Sequence, residues 1–325
     1  MRRAGGQLAG RAGSWRGLST LGDVEGVEGG EPAPRGNGGP RARRPARPRG
    51  GAREPGPSAG APTSPAGAER GDGPGTSGRA EDPPPGRWEA PAAAVVTRAW
   101  QETPAVRALE LRLTDEGSWG RGFRPGQWVD IWHEGSEAAA GLSPWSTPRE
   151  LAAGGVLRLG VRASGHPTVR WLQGARPGDE VRVRVGGTAA LRGAHAGRAV
   201  FLAGGIGVTP LLSMARHLYL EGAGGGAAPE GTLLYAARTR ADLAFAGELD
   251  ACAAASGGRF RWEGVVEEER GRVTAGDVRA AVGGRGDAAR ATAYLCGPPG
   301  MSDWAEGVLL GAGVRPDAVV LERWW

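Results

Sequence analysis

The chain contains no lysine, and all 40 of its strongly basic side chains are arginines. So one-sided a choice of cation points to GC-rich coding rather than to a selected function. Cysteine is almost as scarce. Cys252 and Cys296 are too few for a disulfide scaffold or for the ligands of an iron–sulfur cluster. There is no haem motif, no metal-ligand set, no secretory-type apolar segment and no apolar run long enough for a transmembrane segment. The chain reads as soluble and intracellular.

What is abundant is unevenly spread. Residues 1–88 hold 13 of the 25 prolines and show no sustained apolar period. Such a segment cannot bury enough surface to offset its ordering entropy, so a disordered Arg/Gly/Pro-rich arm is expected. The arm carries 14 arginines and 9 acidic residues, whereas the remainder carries 26 of each. The basic excess therefore belongs to the arm alone. Its Arg41–Gly50 run (RARRPARPRG) suits a solvated linker better than a contact with nucleic acid or anionic lipid, and nucleic acid is not expected as a partner. The first 22 residues contain four arginines and no acid, in the manner of an organellar transit peptide.

Two folded units are expected after the arm. Over residues 89–190, short apolar or alternating runs such as VRALELRL and VLRLGVRA are separated by turn signals at Arg124–Gln127, Ala153–Val156 and Arg176–Glu180. That spacing suggests a small antiparallel β-barrel, with one helix near Pro167–Gln173. Over residues 191–325, five strand-like runs alternate with helical patterns at Val208–Glu221, Ala241–Ser256, Thr274–Val282 and Gly300–Gly311. Thr274 with Asp277 forms a helix-capping pair. This alternation implies an α/β domain with a parallel five-stranded sheet and helices on both faces. Ligands of such sheets sit at the carboxyl ends of the strands, where Gly204–Pro210, Ala237–Arg240 and Cys296–Met301 are expected to converge.

The first of those loops, GGIGVTP, follows an apolar strand and opens a helix. Small residues there let backbone N–H groups approach a phosphate, and the helix start adds partial positive charge. With CGPPGM after the fourth strand, this order of motifs resembles the ferredoxin–NADP reductase superfamily across residues 92–325. The resemblance implies that Gly204, Gly205, Ile206, Gly207, Val208 and Thr209 lie against the pyrophosphate of a nicotinamide nucleotide, with Thr209 offering its hydroxyl. It further implies that Gly297 and Pro298 shape the turn and that Cys296 lies near the nicotinamide. Glu322 matches a glutamate beside the nicotinamide, and Trp324 an aromatic against a flavin ring. Arg238 and Arg240 follow the second strand, where basic residues can pair with the 2′-phosphate of NADP(H). Ala-Arg-Thr at this place also resembles NADH-linked relatives, so NAD(H) is preferred.

The flavin motif of the barrel departs from the resemblance. Aligned on Ser143, whose hydroxyl is kept for the flavin, the usual arginine and tyrosine positions hold Ala140 and Leu142. Thr168 or Arg170 is the substitute for the phosphate end, and His166 stands nearby; FAD is expected on a site that is either rebuilt or degraded. The resemblance implies an NAD(P)H oxidoreductase that passes hydride to flavin and electrons to an unidentified electron acceptor. The alternative is an inactive nucleotide-binding module that has lost its flavin. With the leader-like start it also implies a mitochondrial location, the cytoplasm being the alternative.

Overall fold

A computed structural model describes residues 88–192, 197–222 and 228–322. The arm through residue 87, its leader-like start, and Trp324 lie outside the described residues. Trp88, grouped with the arm by composition, is anchored: its backbone N–H donates to Val185 and its indole to the Gly122 carbonyl, both at 2.9 Å.

Six antiparallel strands form the first sheet: β1 (Ala92–Thr103), β2 (Val106–Leu113), β3 (Trp128–His133), β4 (Ala140–Leu142), β5 (Val156–Arg162) and β6 (Glu180–Gly186). Their order is β4-β3-β6-β1-β2-β5. The two edge strands then meet, because Pro144 bridges Leu159 and the Trp145 N–H donates to the Arg158 carbonyl at 2.9 Å. The sheet thus closes into the expected barrel. Alternation puts Val129, Ile131, Leu157, Leu159, Val161, Val181, Val183 and Val185 inside one apolar cluster. Helix α1 (Pro148–Gly154) starts at a capping box in which Thr147 and Glu150 satisfy each other's backbone N–H groups. Helix α2 (Pro167–Gly174) lies where Pro167–Gln173 was expected.

The second sheet is wholly parallel, with strands β7 (Arg198–Gly204), β8 (Glu230–Ala237), β9 (Phe260–Val266), β10 (Thr292–Cys296) and β11 (Val319–Glu322) in the order β11-β10-β7-β8-β9. Its helices are α3 (Val208–Ala215), continued by a π-helical turn over Arg216–Leu220, α4 (Ala246–Ala255), α5 (Glu267–Arg270), α6 (Ala275–Val282), α7 (Arg285–Ala288) and α8 (Pro299–Ala312). Leu211 and Leu212 of α3 and Leu249 of α4 pack with Phe201 on one face. Val278 of α6 and Leu309 of α8 pack with Val200 and Leu202 on the other. Helix α4 starts later than its apolar pattern predicts. Phe245, held in the left-handed region (φ 60°), separates it from a short turn at Arg240–Asp242.

The barrel and the parallel sheet share a core. Val106, Ala108 and Trp145 belong to the same apolar cluster as Phe201 and Leu211. Gly160 of β5 is needed there, since a Cβ would come within 3.0 Å of Ile206, Phe245 and Thr209 side chains. Two guanidinium groups, Arg158 and Arg216, lie over the Trp145 ring at 5.4 and 5.0 Å, and both bind Glu150. A cation–aromatic contact of this buried kind contributes about 1–2 kcal/mol. The Ser213 hydroxyl donates to the Ser146 carbonyl at 2.6 Å, and Thr147 donates to Glu221 at 2.5 Å.

Candidate nucleotide-binding and redox site

The chain runs β7, β8, β9 in one direction across the sheet and then returns to place β10 on the other side of β7. The carboxyl ends of β7 and β10 therefore flank the switch point, the usual crevice of an open parallel sheet. Both glycine-bearing loops sit there. A Cβ on Gly207 would stand 2.2 Å from the Cys296 carbonyl oxygen, and one on Gly204 would stand 2.6 Å from Pro298. These two glycines let one loop lie on the other. Gly205 differs: its φ is +55°, and the only neighbour of an added Cβ is the flexible Arg162 guanidinium, at 3.2 Å. Gly205 is thus the residue of the three whose backbone demands glycine and whose added Cβ would meet only a flexible side chain.

A cleft of about 1030 Å³ opens at this edge. Gly204, Gly205, Ile206, Ala237, Arg238, Pro298 and Met301 line it, so the three expected loops do converge. The barrel contributes Thr103, Ala105, Val106 and Arg162. Its volume lies at the upper end of small-molecule and cofactor sites. The Arg162 guanidinium is exposed and makes no ion pair among the described residues, which leaves a full positive charge beside the Gly205 turn. Trp304 of α8 is 39% exposed and lines the cleft. Tyr235, at the floor, accepts from the Ala244 N–H at 3.1 Å, and burial pushes its phenol well above the ordinary range.

Other expected residues lie elsewhere. Thr209 is 3% exposed and donates its hydroxyl to the Ile206 carbonyl at 3.0 Å, which stiffens the turn. Val208 is fully buried in the core, and Gly207 and Gly297 serve loop-on-loop packing. Thr168 is likewise committed, donating to the Ala138 carbonyl at 2.5 Å from a fully buried position. It is not the substitute phosphate ligand; Arg170, which is exposed, remains.

Cys296 and Glu322 form a second group. They are register partners on adjacent parallel strands and line one cavity of about 10 Å³, with Pro210 and Met214. That space is at the lower limit of what one water requires. Glu322 is 8% exposed, and its Oε1 has no hydrogen-bond partner among the described residues. Burial pushes its carboxyl up to about 8, so the group stays protonated near neutral pH. The Ser143 hydroxyl is also buried and unpartnered among the described residues. Buried polar groups in folded proteins are nearly always satisfied, and these two lack a partner among the described residues. Cys252 contrasts with these, because burial in the α4 core raises its thiol to about 12 and leaves it a packing residue.

Comparison with known proteins agrees with this geometry. Residues 201–306 match the family model described as Oxidoreductase NAD-binding domain. "Oxidoreductase NAD-binding domain-containing protein 1" of Pongo abelii is 32% identical over 261 residues, covering 74% of this chain and 81% of that protein. The chain belongs to the family of that protein. This member of the oxidoreductase NAD-binding family is also similar to proteins named as reductases. The reductase component of propane 2-monooxygenase from Mycolicibacterium goodii is 31% identical, covering 67% of this chain and 63% of that protein. The solved structure of an Amycolatopsis cytochrome P450 reductase superposes with a TM-score of 0.61 at 24% identity, covering 72% of this chain and 69% of that one. The family's fold is thus the ferredoxin–NADP reductase type: a closed antiparallel sheet followed by a parallel five-stranded one.

Within this family member, the residues that sequence reasoning missed are Arg162, Trp304, Phe245 and Glu102. Glu102 accepts from the Trp100 indole at 2.9 Å and from the Phe245 N–H at 2.8 Å, tying the end of β1 to the start of α4. No local pattern marks them: Glu102 and Phe245 meet across the seam between the two sheets, and Arg162 and Trp304 line the cleft from different elements. Removing the Arg162 charge should weaken binding of a dinucleotide. Arg162→Ala is expected to raise the dissociation constant for NADH about tenfold, the effect of losing one charge-assisted hydrogen bond. Calorimetric titration checks this, and an unchanged constant would remove Arg162 from the site.

Proposed function

We propose that this chain is a flavin-dependent oxidoreductase that takes hydride from NAD(P)H at the β7–β10 crevice. The observation that carries the reading is the pair of glycine-bearing loops meeting at the switch point, beside a large cleft and the unpaired Arg162 charge. In it, Gly205 and Arg162 hold the pyrophosphate, and Trp304 supports the adenine by stacking. Glu322, protonated near neutral pH, would donate a hydrogen bond to the nicotinamide carboxamide, and Cys296 would pack against its ring, once the small cavity they share opens to the cleft. Burial of both excludes water from the reacting carbon.

The residues at the redox end fit a flavin, since the Ser143 hydroxyl is buried and waits for an acceptor. Ser143 would meet the ring, and Arg170 with the uncapped start of α2 would hold the phosphate end. A bound flavin supplies a hydride acceptor able to release electrons singly. Those electrons go to a separate acceptor, a protein or a quinone-like molecule. The acid-free, arginine-bearing first 22 residues support a mitochondrial location.

Two positions favour a second reading, a nucleotide-binding module without flavin. Ala140 is 3% exposed and Leu142 packs against the barrel core, so neither offers the charge or the aromatic face a flavin usually receives. One experiment separates the readings. The full chain is incubated with FAD, desalted, and its visible spectrum taken before and after anaerobic NADH. Retained flavin bands that bleach establish the reductase, and Ser143→Ala is expected to lose flavin on desalting. A colourless protein that still binds NADH supports the module.

A further inference from the structure

The rim of the cleft carries a one-for-one pairing of charge. Arg238 and Arg240 follow β8, the place from which basic residues recruit a 2′-phosphate, and Arg272 follows α5. Three successive glutamates of α5 answer these three arginines. Arg272 Nε donates to Glu267 at 2.9 Å. Arg238 Nε lies 3.9 Å from Glu268, whose backbone N–H donates to the Arg238 carbonyl at 3.1 Å. Glu269 takes both forks of Arg240, at 2.9 and 2.6 Å.

All three pairs are exposed, so none of them holds the fold together to any large degree. Their effect is on the charge that a ligand meets. Arg238, Arg272, Glu267 and Asp242 all line the cleft. With Glu268 and Glu269 beside them, the rim has no surplus positive charge for a 2′-phosphate, which brings nearly two negative charges of its own. An arginine can leave its glutamate for that phosphate, but the glutamate stays within a few ångströms and repels it. A ribose 2′-hydroxyl has the opposite requirement: it donates, and a carboxylate in the cleft accepts.

We propose that Glu267, Glu268 and Glu269 select NADH and exclude NADPH, with Glu267 accepting from the adenosine ribose. The inference rests on the nucleotide site proposed above and names its specificity. Calorimetric titration of the full chain with NADH and NADPH, and with 5′-ADP and 2′,5′-ADP, tests it. The native chain is expected to bind NADH at least about tenfold more tightly than NADPH, since like charges are brought together only with NADPH. Glu268→Gln with Glu269→Gln is expected to close that gap by about tenfold, mostly by tightening NADPH and 2′,5′-ADP. Glu267→Gln is expected to weaken NADH more than NADPH. Equal binding of the two nucleotides by the native chain overturns the specificity and leaves the site standing. A ratio unmoved by the double substitution overturns it too. Failure of every nucleotide to bind overturns the site itself. The side chains replaced are exposed, and an unchanged melting temperature establishes that the variants fold.

Discussion

A single methyl group at position 207 is expected to abolish useful nucleotide binding. Gly207 has a φ of −60°, which any residue adopts, so alanine brings no backbone strain. The whole effect is steric. The new Cβ would stand 2.2 Å from the Cys296 carbonyl oxygen and 2.6 Å from its carbon. Both are backbone atoms at the end of a fully buried strand and cannot swing aside like a side chain. One loop must therefore shift by about an ångström, a displacement of the kind that costs roughly a hundredfold in a positioned site. Overpacking should also lower stability by about 1–3 kcal/mol. Gly205→Ala is the informative contrast. Space exists there, and the cost is the left-handed backbone, about 1–2 kcal/mol. NADH titration and thermal melting of both variants check the pair. Native affinity in Gly207→Ala would show that the two loops separate freely and that their contact does not position the nucleotide.

The second large effect concerns Glu322 and pH. Its carboxyl has an ordinary value of 4.5 and is raised to about 8 by burial. Between those values the folded chain keeps a proton that the unfolded chain has released. The unfolded state thus binds fewer protons, and stability falls as pH rises through this interval, by at most roughly 1.4 kcal/mol per pH unit. Glu322→Gln has nothing to titrate and is expected to remove that slope. At pH 4 the two proteins should melt alike, and at pH 8 the variant should be the more stable by roughly 2 kcal/mol or more. Hydride transfer should follow the same group. In the native protein it should decline above pH 8 as the carboxylate forms, whereas the glutamine variant should lack that decline. Parallel melting curves for the two proteins across pH 5–8 would show that Glu322 is not held protonated.

The fold was legible where chemistry is local. Strand alternation, the Thr274–Asp277 cap and the turn glycines are each written within a few residues, and all appear in the structure. The crevice was legible because two loops rich in glycine and proline cannot be read as helix or strand. Less visible was β4, whose three residues Ala140–Leu142 present too short an alternation. The break at Phe245 was hidden as well, because its left-handed backbone is stabilised by Glu102, far away in sequence. The partner of the Thr209 hydroxyl was not legible either. A hydroxyl at a helix start has carbonyl neighbours of its own, and Thr209 donates to that of Ile206. Gly160 and Arg162 mark the general limit: their purpose lies in what the other sheet places opposite them.

That shared seam bears on how such a protein is inherited. Because Val106, Ala108 and Trp145 complete a cluster that includes Phe201 and Leu211, each sheet lends part of its interior to its neighbour. A gene fragment encoding either sheet alone would specify a half with an open apolar wound, and a half borrowed from a distant relative would meet a wall of the wrong shape. The transmissible unit is accordingly the pair. A substitution at Gly160, Trp145 or Ser213 is then felt by both sheets at once.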